Sequence, residues 1–268
     1  MPHVVAIIQA RMRSTRLPGK VLLDIEGQPM LARVVARTSR AASIHEVIVA
    51  TTTDASDDPV AGLCDAMDVP HTRGSEQDVL DRYYQAARGA KADVVVRVTA
   101  DCPVIDPALI DEVVNTLLGK SEIGSGKFDF AADRLPPPFQ RTYPIGLDVE
   151  VCTFAGLETA WNKATEAFHR EHVVPFLYEG VELQPQSPQL ATGISPRGFR
   201  VALLNHLPDY GAMRWTVDTY EDLAFIRQVY ARFGGDDGFS WKDVLALVQS
   251  DPELAAINAA VRHKTLYD

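Results

Sequence analysis

Three short, continuously apolar runs constrain this chain more than any other feature: VVAII at residues 4–8, EVIVATT at 46–52 and ADVVVRVTA at 92–100. They are rich in β-branched residues and show no polar alternation. Strands of a parallel sheet, buried on both faces, read this way. Helical patterns separate them. PMLARVVARTSRA (29–41) and DPVAGLCDAMD (58–68) carry apolar residues at helical spacing. SEQDVLDRYYQAARG opens with Ser75 and Asp78 as a capping box and closes on Gly89. Asp106-Pro107 starts another helix, with Asp as cap and Pro in the first turn. Alternating strand and helix predicts an α/β fold, a mostly parallel sheet flanked by helices.

Beyond residue 118 the alternation loosens. GKSEIGSGKF (119–128) and RLPPPFQRTYP (134–144) are rich in Gly and Pro. Strands are expected in GLDVEVCTF (146–154), GFRVALLNH (198–206) and MRWTVD (213–218), with helix over 166–175, over TYEDLAFIRQVYARFG (219–234) and from Ser240 onward. No repeat and no long linker divides the chain. The expectation is one domain over 1–268, with an inserted arm at about 120–200.

A chain of 268 residues buries roughly 75% of its unfolded surface and needs no staples. Cys64, Cys102 and Cys152 match neither a zinc spacing nor a disulfide framework. With no secretory leader in view, they point to a reducing, cytoplasmic setting. No apolar run reaches the ~20 residues that span a bilayer. A net charge of −10 argues against a nucleic-acid partner, which calls for a broad basic face.

Against that balance, QARMRSTRLPGK (9–20) gathers Arg11, Arg13, Arg16 and Lys20, with no acid before Asp24. It lies directly behind the first strand. Ligands of open α/β sheets sit beyond the carboxyl ends of the strands. Arginine forks match phosphate oxygens, and lysine adds a mobile point charge. Gly19 allows a backbone conformation closed to other residues. A cation cluster without a neighbouring acid suits a triphosphate. The bland reading is a surface loop whose arginines pair with acids elsewhere.

Two aspartates stand at equivalent places. Asp101, in TADCP, follows the third apolar run, where a Mg²⁺ ligand would sit; it could equally close its own turn. Asp218, in RWTVDTYEDL, sits at a strand-to-helix junction, and its plainer role is a helix cap completed by Glu221. Asp148, in GLDVEV, is a weaker candidate of the same kind. GSGK (124–127) lacks the spacing of a phosphate-binding loop, and no G-x-G-x-x-G follows a strand. HREH (169–172) is not the H-E-x-x-H of zinc peptidases.

QARMRSTRLPGKVLLDIEGQPML resembles the N-terminal signature of the sugar-acid cytidylyltransferases, nearest to the spore-coat polysaccharide biosynthesis protein F group. Similarity extends through ATTTDASDDP, RGSEQDVLDRYYQA, VRVTADCPVIDP, GLDVEV, REHV and RWTVDTYEDL. The resemblance implies the nucleotide-diphospho-sugar transferase fold, a Rossmann-like sheet. It implies that Arg11 and Lys20 contact nucleotide phosphates, with Arg16 in the same motif. Gln9 and Ala10 would line the base and ribose side, and Arg73, Gly74 and Ser75 a second nucleotide-contacting segment. Asp101 and Asp218 would hold Mg²⁺. The chain departs from the better-studied branches at Gln9, where they carry Pro, and at Ala-Asp-Cys-Pro, where they carry a Gly-Asp-Glu-Pro type of motif.

The expected activity is transfer of CMP from CTP to an acidic sugar, with pyrophosphate released, in surface polysaccharide or glycan biosynthesis. Arg11, Lys20 and Asp101 would act on the reacting phosphates. Arg141, Arg170, His172 and Arg200 are candidates for the sugar's carboxylate. A glycosyltransferase of the same fold is the nearest alternative, although Thr99 and Pro103 leave no Asp-x-Asp around Asp101. A non-catalytic nucleotide-binding partner is more distant. The family resemblance also implies a homodimer. As an apolar patch, VVPFLY (173–178), with Phe176 or Tyr178 in particular, is expected at its interface; the plainer reading is that it packs under its own sheet.

Overall fold

The computed structural model describes residues 1–124 and 126–262. Ser125 of the GSGK stretch and the last six residues of the expected C-terminal helix lie outside the described residues. β1 (Val4–Gln9) is followed by a two-stranded ribbon, β2 (Asp24–Ile25) and β3 (Gln28–Pro29), then α1 (Met30–Thr38), β4 (Glu46–Thr52), α2 (Asp58–Ala66), β5 (His71–Gly74), α3 (Val79–Gly89), β6 (Val94–Thr99) and α4 (Pro107–Leu118). β7 (Phe130–Ala132), β8 (Glu150–Thr153), α5 (Phe154–Lys163), α6 (Ala167–His172), α7 (Pro175–Tyr178), β9 (Gln184–Ser187), β10 (Leu190–Ile194) and β11 (Arg200–Leu204) complete the middle of the chain. α8 (Tyr220–Arg232), α9 (Trp241–Ser250) and α10 (Pro252–Ala256) close it.

One nine-stranded sheet runs in the order β5-β4-β1-β6-β8-β7-β11-β10-β9. Among its strands only β8 and β10 run against the rest. β1 pairs in parallel with β4 on one side and β6 on the other, with Gln9 level with Ala50 and Thr99. The chain builds outward from β1 to β5, then returns to place β6 on β1's other edge. That reversal opens a crevice at the carboxyl ends of β1 and β6.

The apolar runs are buried on both faces, as their lack of alternation predicts. Val4, Ala6 and Ile8 of β1 join the core with α1, α2, α4, α8 and α9. Val5 and Ile7 join the opposite core with α3, α5 and α7. Each face supplies a hydrophobic layer, so the end of β1 is held from both sides.

The middle of the chain departs from expectation. β7 and β8 lie inside the sheet, between β6 and β11, so residues 120–200 are not an arm set apart from it. The helix expected over 166–175 breaks at Val173, whose φ of 72° ends α6. VVPFLY does not offer an interface patch: Phe176 and Tyr178 are 7% and 4% exposed and pack in the core with α3 and α5. The stretch 213–218 forms no strand, making only a bridge between Ile145 and Arg214. Asp148 precedes β8 rather than lying within a strand. At α3 the cap is Asp78, which accepts from Asp81 N at 2.9 Å, while Ser75 Oγ closes the preceding turn.

Candidate active site

The loop after β1 is shaped by backbone bonds and one buried acid. Met12 N donates to Asp57 Oδ1 at 2.6 Å, and Gly19 N donates to Met12 O at 2.8 Å. Asp57, 2% exposed, also accepts from Thr52 Oγ1. Leu17 is buried beneath the loop. Gly19 takes a φ of 71°, which a β-carbon would strain, and Lys20 then starts one tight helical turn to Leu22. So folded, the loop places Arg11, Arg13, Arg16 and Lys20 along a cavity of about 290 Å³. Gln9, Thr99, Ala100, Asp101 and Asp218 also line it.

Asp101 and Asp218 are far apart in sequence and are brought together by backbone contacts. Val217 N and Thr216 Oγ1 both donate to the Asp101 carbonyl, at 2.9 and 3.0 Å. The Lys20 ammonium sits between the two side chains. It donates to Asp101 Oδ2, Asp218 Oδ1 and the Val217 carbonyl, each at 2.8 Å. Burial disfavours its charge, but the two carboxylates outweigh that and raise its pKa above the ordinary value. Asp218 is held by three cations: Lys20, Arg16 at 2.9 Å and Arg214 at 2.8 Å. Burial opposes its ionisation, yet Lys20 and its other partners bring it down to about 2. Arg214 is in turn fixed by the fully buried Asp222, which also accepts from Asn258.

Asp218 does not cap α8. Thr219 does, in a reciprocal box with Asp222, not Glu221. That frees Asp218 for the pocket. The expectation of a cation cluster without acids is corrected in space: Glu76 pairs with Arg13 at 2.6 Å and lies 3.7 Å from Arg11, and Asp54 also holds Arg13. These acids lie far from the loop in sequence and preorganise its arginines.

Among the described residues no group of three or more His, Cys, Asp or Glu is arranged to hold a metal. Asp101 and Asp218 nonetheless fit magnesium chemistry. They are two hard oxygen donors converging on one cation, and Mg²⁺ commonly takes one or two carboxylates together with substrate phosphates. In this structure the cation between them is the Lys20 ammonium.

Of the other predicted residues, Ala10 is buried behind the loop. Arg73, Gly74 and Ser75 do not reach the cavity wall. Arg73 spends its guanidinium on the Thr52 and Asp54 carbonyls and on Asp58. Arg141 is tied to Asp148, and Arg170 to Asp78 and the Trp161 carbonyl. His172 packs its ring against Phe168 in a tilted contact, with centroids 4.8 Å apart. His169 bonds Glu179, so HREH does not converge on a metal. Arg200 pairs with Asp129 at the start of β7, the end of the sheet opposite the cavity, so it is placed away from this cavity. Sequence reading missed Asp54, Asp57, Glu76, Arg97, Arg214 and Asp222. All six lie within segments singled out by resemblance without a role for these residues: ATTTDASDDP, RGSEQ, VRVTADCPVIDP and RWTVDTYEDL.

The cytidylyltransferase family model matches residues 5–233. The chain belongs to the cytidylyltransferase family. The spore coat polysaccharide biosynthesis protein SpsF of Bacillus subtilis is 29% identical over 260 residues, covering 95% of this chain and 98% of that protein. The 3-deoxy-manno-octulosonate cytidylyltransferase of Geobacter sulfurreducens is 38% identical over 124 residues, covering 46% and 49%. A solved cytidylyltransferase from Leptospira borgpetersenii superposes with a TM-score of 0.82 at 28% identity, covering 98% of this chain and all of that one. The nucleotidyltransferase fold predicted from the sequence is the fold of this cytidylyltransferase.

Proposed function

We propose that this cytidylyltransferase moves a cytidylyl group from CTP to an acidic sugar and releases pyrophosphate, for surface polysaccharide or glycan synthesis. The observation that carries the reading is the cavity at the β1–β6 crevice, where four cations of one loop face Asp101 and Asp218. The family match supports CTP as donor. The sugar-acid enzyme among the relatives supports the acceptor class.

In this reading an oxygen of the sugar bonds to the α-phosphorus and its proton passes to water. The bond from that phosphorus to the bridging oxygen breaks, and pyrophosphate leaves with the electron pair. Such transfers depend on positioning and charge stabilisation. Arg11, Arg13 and Arg16 bind phosphate oxygens, and Lys20 exchanges a carboxylate for the departing group. Asp101 and Asp218 would hold Mg²⁺, which neutralises phosphate charge when bound. Asp54 and Glu76 keep Arg13 in place before the nucleotide arrives, so less ordering is left for the binding step.

The test is pyrophosphate release with CTP, Mg²⁺ and a panel of acidic sugars. Release that requires both CTP and an acid supports the reading. Transfer from a ready-made nucleotide sugar instead would make it a glycosyltransferase, and nucleotide binding without turnover would make it a non-catalytic partner. A cytoplasmic homodimer completes the proposal; light scattering near the 29.4 kDa monomer mass at micromolar concentration would count against the dimer.

A further inference from the structure

The run VVVRV carries one charge into a strand that is otherwise apolar. Arg97 lies on β6, level with Ile7 of β1 and Glu150 of β8. Its side chain is 11% exposed and that of Glu150 is 3% exposed. A buried charge is costly unless it is paired. Glu150 meets that requirement by accepting from Arg97 Nη1, and Arg97 stays charged despite its burial. The second arm of the guanidinium is directed elsewhere: Nη2 donates to Gln9 Oε1 at 3.0 Å. Tyr83, beneath, brings its hydroxyl within 3.4 Å of the same oxygen.

A guanidinium can only donate. The Gln9 carboxamide must therefore turn its oxygen to Arg97, because the flipped amide would set N–H against N–H. Its –NH₂ is left on the other side. Gln9 lines the cavity beside Thr99 and the cations of the loop.

We infer that Arg97 is a positioning residue: anchored by Glu150, it fixes the Gln9 carboxamide so that its N–H groups meet an acceptor oxygen of the bound nucleotide. This rests on the nucleotide reading of the cavity. It also gives the departure at Gln9 a chemical meaning. Proline has no side-chain donor, so this chain adds a directed hydrogen bond at the end of β1 and needs a second residue to aim it.

Titration calorimetry with CTP tests the inference through a double-mutant cycle of Gln9→Met and Arg97→Lys. Arg97→Lys keeps the charge for Glu150 but loses the second arm, so the fold survives while the carboxamide is released. Gln9→Met should weaken CTP binding about five- to tenfold, the range for one lost hydrogen bond. Arg97→Lys alone should weaken it about threefold, and should add nothing in the Gln9→Met background. Equal loss from Arg97→Lys in both backgrounds would make Arg97 merely structural and overturn the inference. So would unchanged affinity in Gln9→Met. If the wild-type protein itself binds no CTP, the nucleotide reading fails first and takes this inference with it.

Discussion

The Lys20 ammonium spends its three hydrogens on Asp101, Asp218 and the Val217 carbonyl. Reaching a phosphate means exchanging one of these bonds. Lys20→Met should lower turnover about 10²- to 10³-fold, the cost of one preorganised donor in related chemistry, measured as pyrophosphate release. Asp218 gives a pH prediction. Its pKa falls from 3.8 to about 2 in the fold, so its contribution to stability is full above about pH 4. It is lost as pH falls towards 2. Urea unfolding between pH 2.5 and 5 should show the acid limb flattened in Asp218→Asn, with roughly 2 kcal/mol at stake. The pocket-facing residues were legible because a short motif holds most of them. Arg214, Asp222 and Arg97 were not, because their roles come from partners that meet only in space.

Elements were legible where local pattern and burial agree. β1, β4 and β6 form where the apolar runs stand, and α8 forms within the expected 219–234, although its cap is Thr219 rather than Asp218. The pattern misled where tertiary contacts decide. MRWTVD has strand composition, yet its neighbour across the bridge is the turn at Gly146. That glycine has a φ of 106°, and a β-carbon there would stand 2.5 Å from Thr216 N. Gly146→Ala should therefore destabilise the protein by several kcal/mol and disturb the contact that sets Asp218 beside Asp101, read as a fall in melting temperature together with activity. VVPFLY misled in the other direction. Its apolar residues cover the protein's own sheet, so Phe176→Ala should cost about 3 kcal/mol of stability, measurable by chemical denaturation.

At the scale of the whole molecule, one sheet reversal places the cavity, and the net charge of −10 leaves the cations of residues 9–20 as a local exception. In the parallel half, β1, β4 and β6 were legible as apolar runs alternating with helices of clear period, whereas β5 was not, because HTRG carries no apolar run. The placement of β7 and β8 between β6 and β11 was not, since short strands between Gly- and Pro-rich loops carry little periodicity. Their insertion brings Glu150 to Arg97 and so ties the middle of the chain to the cavity wall at Gln9. The proposed activity requires that the group transferred from the cavity be a cytidylyl group. Single turnover with CTP labelled at the α-phosphorus, in the presence of Mg²⁺ and the acidic-sugar panel, measures that transfer. The label should move onto a sugar acid in the wild-type protein, and the yield should collapse in Lys20→Met. Label that stays in CTP with every acid, or that appears as free CMP whether or not an acid is present, would contradict it.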